Sequence, residues 1–115
     1  MFLGCTGLTS LPAGLLPATT LADYCYSRMF EFCRGLTKPP YLPAIQGATG
    51  CYDYMFNDCG ENLSEIRCNL ATTNSSWTGG WVINVVSNGT FYRNPAANWS
   101  TGNDGIPDGW DVNDY

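Results

Sequence analysis

The stretch Met29-Phe30-Glu31-Phe32-Cys33-Arg34-Gly35-Leu36-Thr37 constrains this chain most, because near copies of it stand on both sides. Met1-Phe2-Leu3-Gly4-Cys5-Thr6-Gly7-Leu8-Thr9 precedes it, and Met55-Phe56-Asn57-Asp58-Cys59-Gly60-Glu61-Asn62-Leu63-Ser64 follows. The Met-Phe pairs lie 28 and then 26 residues apart. Self-similarity at a fixed period of roughly 20–50 residues means stacked supersecondary units, each burying its apolar face on the next. The agreement extends past the seed. Cys25-Tyr26 and Cys51-Tyr52 both stand four residues ahead of Met-Phe, and Leu16-Pro17-Ala18 recurs as Leu42-Pro43-Ala44.

The period divides residues 1–70 into units near 1–28, 29–54 and 55–70. In each, a short alternating segment reads as a strand: Gly7 to Pro12, Leu36 to Tyr41, and Leu63 to Cys68. Pro39 and Pro40 remove ladder donors, so the second strand must be very short. In the third, Glu65 and Arg67 share one face with Leu63, and Ile66 needs a local bend to join Leu63 in the core. Between strands, Leu21, Cys25, Met29 and Cys33 recur at intervals of four, which predicts a short helix capped by Thr19 or Thr20. Beyond Cys68, Trp77, Trp81, Val82 and Val85 predict one amphipathic helix over 77–86, and Thr90-Phe91-Tyr92 a last strand. The tryptophans of this region need neighbours to bury against. Residues 71–115 are therefore read as a terminal cap over the apolar end of the stack.

Composition excludes several partners. The chain has 115 residues, a net charge of −5 and no histidine, and its five basic residues are scattered singly. Nucleic-acid binders cluster Lys and Arg, so none is expected as a partner. No apolar run approaches the roughly 20 residues of a membrane-spanning helix, so no membrane insertion is expected. Phe2-Leu3-Gly4-Cys5 looks superficially like a lipoprotein cleavage box, but a secretory signal needs a basic stretch and an apolar run of roughly 7–15 residues ahead of it. No signal peptide is read. Met1 falls at an internal position of the repeat, so the first unit is expected to lack a cap, and its open face is a candidate for self-association or for missing sequence.

The Leu8-Thr9-Ser10-Leu11-Pro12 strand, the segment Leu16 to Tyr26 and the Met-Phe-x-x-Cys seed resemble the BspA-like leucine-rich repeats of bacterial surface proteins. Gly89-Thr90-Phe91, Asn94-Pro95 and Gly105-Ile106-Pro107 with Gly109-Trp110 are similar to the tail that ends many such arrays. The resemblance covers nearly the whole chain. It implies an α/β fold: a right-handed leucine-rich-repeat solenoid with short parallel strands, short helices and a C-terminal cap. It further implies an extracellular or bacterial cell-surface protein of the adhesion class, or, since similar repeats occur in phage proteins, a virion component. It supplies no catalytic residues. Ile45-Gln46-Gly47-Ala48 departs from the Thr-Thr-Leu-Ala form of the preceding unit, as does the spacing from Cys59 to Leu63, so the register is least fixed there.

Six cysteines raise the question of disulfides. Within a unit, Cys25 to Cys33 and Cys51 to Cys59 are eight apart, roughly 12 Å along a helix, too far for a bridge. Between units, Cys5, Cys33 and Cys59 form one column and Cys25 with Cys51 another. Free, buried thiols are the expectation, and zinc is not, for want of a Cys-x-x-Cys pair or histidine. The acidic stretch 103–114 reads as a solvated tail with glycine turns. Its alternative is a calcium loop through Asp104, Asp108 and Asp111, though Ser100 and Gly102 stand where earlier ligands would. Asn62, Asn74, Asn88 and Asn98 open Asn-x-Ser/Thr sequons, read as coincidental in a bacterial or phage chain. With no histidine and no base beside a nucleophile, no catalysis and no cofactor are expected, Glu31 with Asp58 being an arbitrary pair. The expected function is non-catalytic recognition of a host-cell or surface protein or glycan through a solenoid face. The candidate contact residues are Tyr24, Tyr26, Tyr41, Tyr52 and Tyr54, because tyrosine gives large contact area at small entropic cost. The alternative is a structural protein of a phage tail or head, as fibre or decoration.

Overall fold

Every second N–H between residues 24 and 32 leaves its own unit. In the computed structural model, which describes residues 4, 5, 7–85 and 88–115, the N–H groups of Tyr24, Tyr26, Arg28, Phe30 and Phe32 donate to the carbonyls of Thr49, Cys51, Asp53, Met55 and Asn57 at 2.9–3.0 Å. The intervening N–H groups of Cys25, Ser27, Met29, Glu31 and Cys33 turn back to the carbonyl three residues earlier, at 3.1–3.2 Å. The pattern repeats one unit on. Gly50, Tyr52, Tyr54, Phe56 and Asp58 donate to Ser76, Trp77, Gly79, Trp81 and Ile83.

This replaces the helix expected over 19–33: residues 23–32 are consecutive turns, and so are 49–58. The cause lies in the backbone. Tyr24, Arg28 and Phe32 have φ of 57°, 57° and 63°, so every fourth residue is left-handed and an α-helix cannot propagate through them. A turn run of this kind repeats every four residues, close to the helical 3.6, and it buries Met29 and Cys33 while leaving Cys25 half-buried. The helix expected over 77–86 shrinks likewise to α1, Ser75–Thr78, whose start is capped by the Asn74 side chain accepting from the Ser76 N–H. Gly79 and Gly80 end it, and turns follow to Asn84. Val86 lies outside the described residues.

The strands form one open parallel sheet. β1 (Glu65–Cys68), β2 (Thr90–Arg93) and β3 (Asp111–Asp114) are neighbours in that order, with Ile66 opposite Phe91 and Phe91 opposite Val112. The two earlier units contribute only single bridges, Ser10 with Lys38 and Leu42 with Cys68, as the prolines between them require. Leu63 and Ile66 are both fully buried. Alternation breaks ahead of β1, where Ser64 and Glu65 are both partly buried between Leu63 and Ile66; the Ser64 N–H donates to the Thr37 carbonyl while its own carbonyl accepts from Thr90. β3 was read as part of an acidic tail; it is a strand with every residue exposed, held by its pairing with β2.

Side chains stack in the same order as the backbone. Tyr26 lies on Tyr52 at 6.1 Å and 8°, and Phe30 on Phe56 at 6.0 Å and 12°. Phe2, expected in the second column, lies outside the described residues. Trp81 is wide enough to meet both columns, at 6.1 Å from Tyr52 and 5.9 Å from Phe56, and Trp99 stacks on it at 5.4 Å and 11°. Polar columns run beside the aromatic ones: the Thr37 and Ser64 hydroxyls donate to Thr9 and Thr37 carbonyls, and the Asn94 amide to the Asn69 carbonyl.

Candidate binding surface

Alternation along β1 and β2 sends Ile66, Cys68 and Phe91 inward and leaves Glu65, Arg67, Thr90 and Tyr92 partly exposed on the outer face. The register sets Arg67 beside Tyr92. Its guanidinium lies 3.6 Å from the centre of that ring and 4.8 Å from the ring of Tyr41, one unit back. The Glu65 carboxylate holds it there at 3.2 Å. An arginine between two aromatic faces gains roughly 0.5–1 kcal/mol per contact at an exposed site. The ring of Tyr115 then meets Tyr41 edge-on at 6.2 Å and 69°. Burial pushes the Tyr115 phenol pKa up, while Arg67 lowers it. Beside this pair, Ala13, Leu16, Pro17 and Pro43 line an open groove of about 300 Å³.

Of the five tyrosines chosen from sequence, only Tyr41 takes part in this ladder. Tyr24 is 59% exposed and lies over Gly50 of the next unit, where a Cβ would overlap its ring. Tyr54 is half-buried, with the Arg28 guanidinium 4.4 Å from its ring. Tyr26 is half-buried against Tyr52, and burial raises its phenol pKa. Tyr52 is fully buried, which removes it from any surface contact set. Burial likewise raises the pKa of its hydroxyl, which has no hydrogen-bond partner among the described residues. Arg67, Tyr92 and Tyr115 were missed. The signal for the first two was present: Glu65 and Arg67 were read as sharing a face, and aligning Leu63-Ser64-Glu65 with Asn88-Gly89-Thr90 sets Arg67 next to Tyr92.

The remaining polar clusters are structural. Asp104 carries no cation-type arrangement: its carboxylate accepts from the Gly80 N–H at 2.6 Å and its carbonyl from the Thr78 hydroxyl at 2.7 Å. Asp108 and Asp111 are exposed. Among the described residues, no three His, Cys, Asp or Glu side chains are placed to hold a metal. Glu31 is buried, and one oxygen of its carboxylate accepts from both Arg28 at 2.9 Å and the Asn57 amide at 2.8 Å, while Asp58 is paired with Arg34. The six thiols are unbridged. Burial pushes Cys59 and Cys68 up to about 12, and Cys59 donates to the Phe30 carbonyl at 3.1 Å. No helix among the described residues is long and apolar enough to cross a membrane. No protein-family model, no curated protein and no solved structure matches this chain.

Proposed function

We propose that the chain is a non-catalytic recognition and adhesion module: the terminal part of a right-handed leucine-rich-repeat solenoid of the BspA-like kind, closed by residues 71–115, working at a bacterial surface or outside the cell. The ladder of Tyr41, Arg67, Tyr92 and Tyr115 supports this reading. Four residues from distant parts of the chain converge on the outer sheet face, and Tyr and Arg are the side chains that dominate binding interfaces. Nucleic acid is disfavoured as the partner because the arginines are occupied: Arg28 by Glu31, Arg34 by Asp58, Arg67 by Glu65 and Arg93 by the Ala97 carbonyl. A screen of host-cell surfaces, surface proteins and immobilised glycans tests the proposal. Binding should fall at least tenfold in Arg67→Ala and Tyr92→Ala, a loss of about 1.4 kcal/mol each. Binding indifferent to both substitutions would remove this face from consideration.

A second reading, a structural component of a phage particle, draws on the opposite end of the stack. The carbonyls of Asp23, Cys25, Ser27 and Met29 correspond to those that accept from the preceding unit elsewhere, yet no described residue donates to them. Among the described residues, these four carbonyls are acceptors without a donor. Two copies meeting through it would set carbonyl against carbonyl, so any assembly through it must be with a donor-bearing edge. A stable trimer by light scattering favours the particle reading; a monomer at all concentrations removes it.

A further inference from the structure

We infer that the free edge of β3, Asp111–Asp114, takes up an extended basic segment of another protein as a fourth parallel strand, with a basic residue beside Asp111, an apolar one beside Val112 and a second basic one beside Asp114. The site is made of backbone groups at the edge of the sheet and does not draw on the Tyr and Arg side chains of the ladder on its outer face.

β3 stands last in the strand order and is paired on one side only. The Asp111 N–H donates to the Gly89 carbonyl and the Tyr115 N–H to the Arg93 carbonyl. Alternate residues of a parallel strand bond to the same neighbour, so residues 111, 113 and 115 turn to β2 while Val112 and Asp114 turn their N–H and C=O groups outward. No described residue bonds to those outward groups. A row of this kind is a template for a further strand unless it is covered, bulged or interrupted by proline. β3 has none of these: all four residues are exposed, and their pairing with β2 is regular. The side chains break off at the same place. Ile66, Phe91 and Val112 stand in register, the first two fully buried and Val112 43% exposed, so the apolar row ends with no neighbour over its last member.

Charge selects the occupant. Asp111 and Asp114 are exposed, and among the described residues neither belongs to an ion pair. Two copies meeting edge to edge about a twofold axis would run antiparallel. In the register that pairs all four residues, Asp111 of each faces Asp114 of the other, and like charges directly opposite are destabilising. The net charge of −5 on each chain adds to that repulsion. The carboxylates thus guard the edge against its own kind while leaving its backbone groups open. A strand with Lys or Arg at the same two places turns both repulsions into attractions. Main-chain bonds to Val112 and Asp114 supply the hold and alternate side chains the selectivity, which is the division of labour in strand addition.

The probe is the peptide Thr-Lys-Val-Thr-Lys-Thr, blocked at both ends and titrated into the full ¹⁵N-labelled chain. Saturable shifts are expected at the Val112 and Asp114 amides, with affinity on the order of 1 mM or tighter, and both amides should gain protection from exchange with solvent. The same peptide N-methylated at its first lysine and second threonine, whose N–H groups would face β3, should bind about tenfold more weakly or worse, as should the glutamate counterpart Thr-Glu-Val-Thr-Glu-Thr. Val112→Pro removes an outward N–H and none of the bonds to β2, a place where an edge strand tolerates proline, and should abolish binding. Asp111→Lys combined with Asp114→Lys alters exposed side chains alone and should exchange the preference, so that the glutamate peptide binds instead; this variant decides the matter if Val112→Pro unfolds. No saturable shift with the lysine peptide, equal binding of its N-methylated form, or an unchanged preference in the double lysine variant would each overturn the inference. So would loss of the Val112 and Asp114 signals with rising protein concentration and no peptide, which would assign the edge to a second copy.

Discussion

Gly80→Ala tests whether one unit lies on the next. Gly80 has φ of 62°, and a Cβ there would come 2.6 Å from Cε1 of Tyr54, a residue 26 positions earlier. Two costs follow. The left-handed conformation costs an alanine roughly 1–2 kcal/mol, and overpacking against a ring held by its own unit costs roughly 1–3 kcal/mol. A loss of about 2–5 kcal/mol is expected in guanidinium unfolding followed by tryptophan fluorescence, within the roughly 5–15 kcal/mol typical of a domain. Tyr54→Ala alone removes a half-buried ring and its Arg28 contact, a loss of about 1–2 kcal/mol.

The double variant separates the two costs. With the ring gone the clash disappears, and the tip of Ile83, 2.9 Å away, can swing aside. Only the backbone cost of Gly80→Ala remains. The pair should therefore be less damaging than the sum of its parts by the overpacking cost, on the order of 1–3 kcal/mol. Gly14→Ala is the control: nothing lies within 4 Å of its Cβ position, so it should be near neutral and additive with Tyr54→Ala. Additivity of Gly80→Ala with Tyr54→Ala, within about 0.5 kcal/mol, would refute the stacking of residue 54 on residue 80 and with it the unit-on-unit arrangement.

Two further outcomes follow from buried polar groups. Asp104→Ala leaves the buried Gly80 N–H without its acceptor and should cost about 1.5–3 kcal/mol; Asp104→Asn keeps an oxygen in place and should cost less than about 1 kcal/mol, so equal losses by urea unfolding would discard this role. Cys59 and Cys68 are pushed by burial from 9.0 to about 12, so above pH 9 the unfolded chain sheds thiol protons that the folded chain keeps. The associated stability is whole below about pH 9 and drains as pH rises toward 12, by up to about 1.4 kcal/mol per thiol per pH unit. Urea midpoints that stay flat across that window, or native-state labelling of Cys59 as fast as that of the exposed Cys5, would show the thiols to be accessible.

The repeat and its columns were legible because identical residues at a fixed period must meet identical partners: Tyr26 finds Tyr52, and Phe30 finds Phe56. The turn run was not legible. Its apolar spacing of four imitates a helix, and the residues that break the helix, Tyr24, Arg28 and Phe32, are ones for which a left-handed backbone is unfavourable. Among the described residues, Gly4, Gly50 and Gly80 at these positions carried a hint. β3 escaped for a different reason: Asp111, Val112, Asn113 and Asp114 are all exposed, so no burial pattern betrays a strand that is held by its neighbour's backbone. The ladder on the sheet face was half legible, since alternation placed Glu65 and Arg67 together but the reach of Tyr115 across to Tyr41 depends on how the chain returns from β3.

The direction of the hydrogen bonds explains why the two ends of the stack differ. Alternate N–H groups of each unit point toward the unit that follows it in sequence, and the matching carbonyls point toward the unit before. The last turn run, residues 79–84, therefore has donors to satisfy. Residues 103–105 answer them: Asp104 takes the Gly80 N–H, the Asn103 carbonyl takes Val82, and the Gly105 carbonyl takes the Trp81 indole N–H at 2.8 Å. A carboxylate can stand in for a peptide carbonyl here because it accepts without having to donate, so the acidic loop supplies the acceptors of a further unit without its length. The carbonyls of Asp23, Cys25, Ser27 and Met29 demand the converse, a row of donors, and no acidic loop could meet that demand. Donors for that row would be backbone N–H groups or donor side chains such as those of Asn, Ser, Thr, Lys, Arg and Trp.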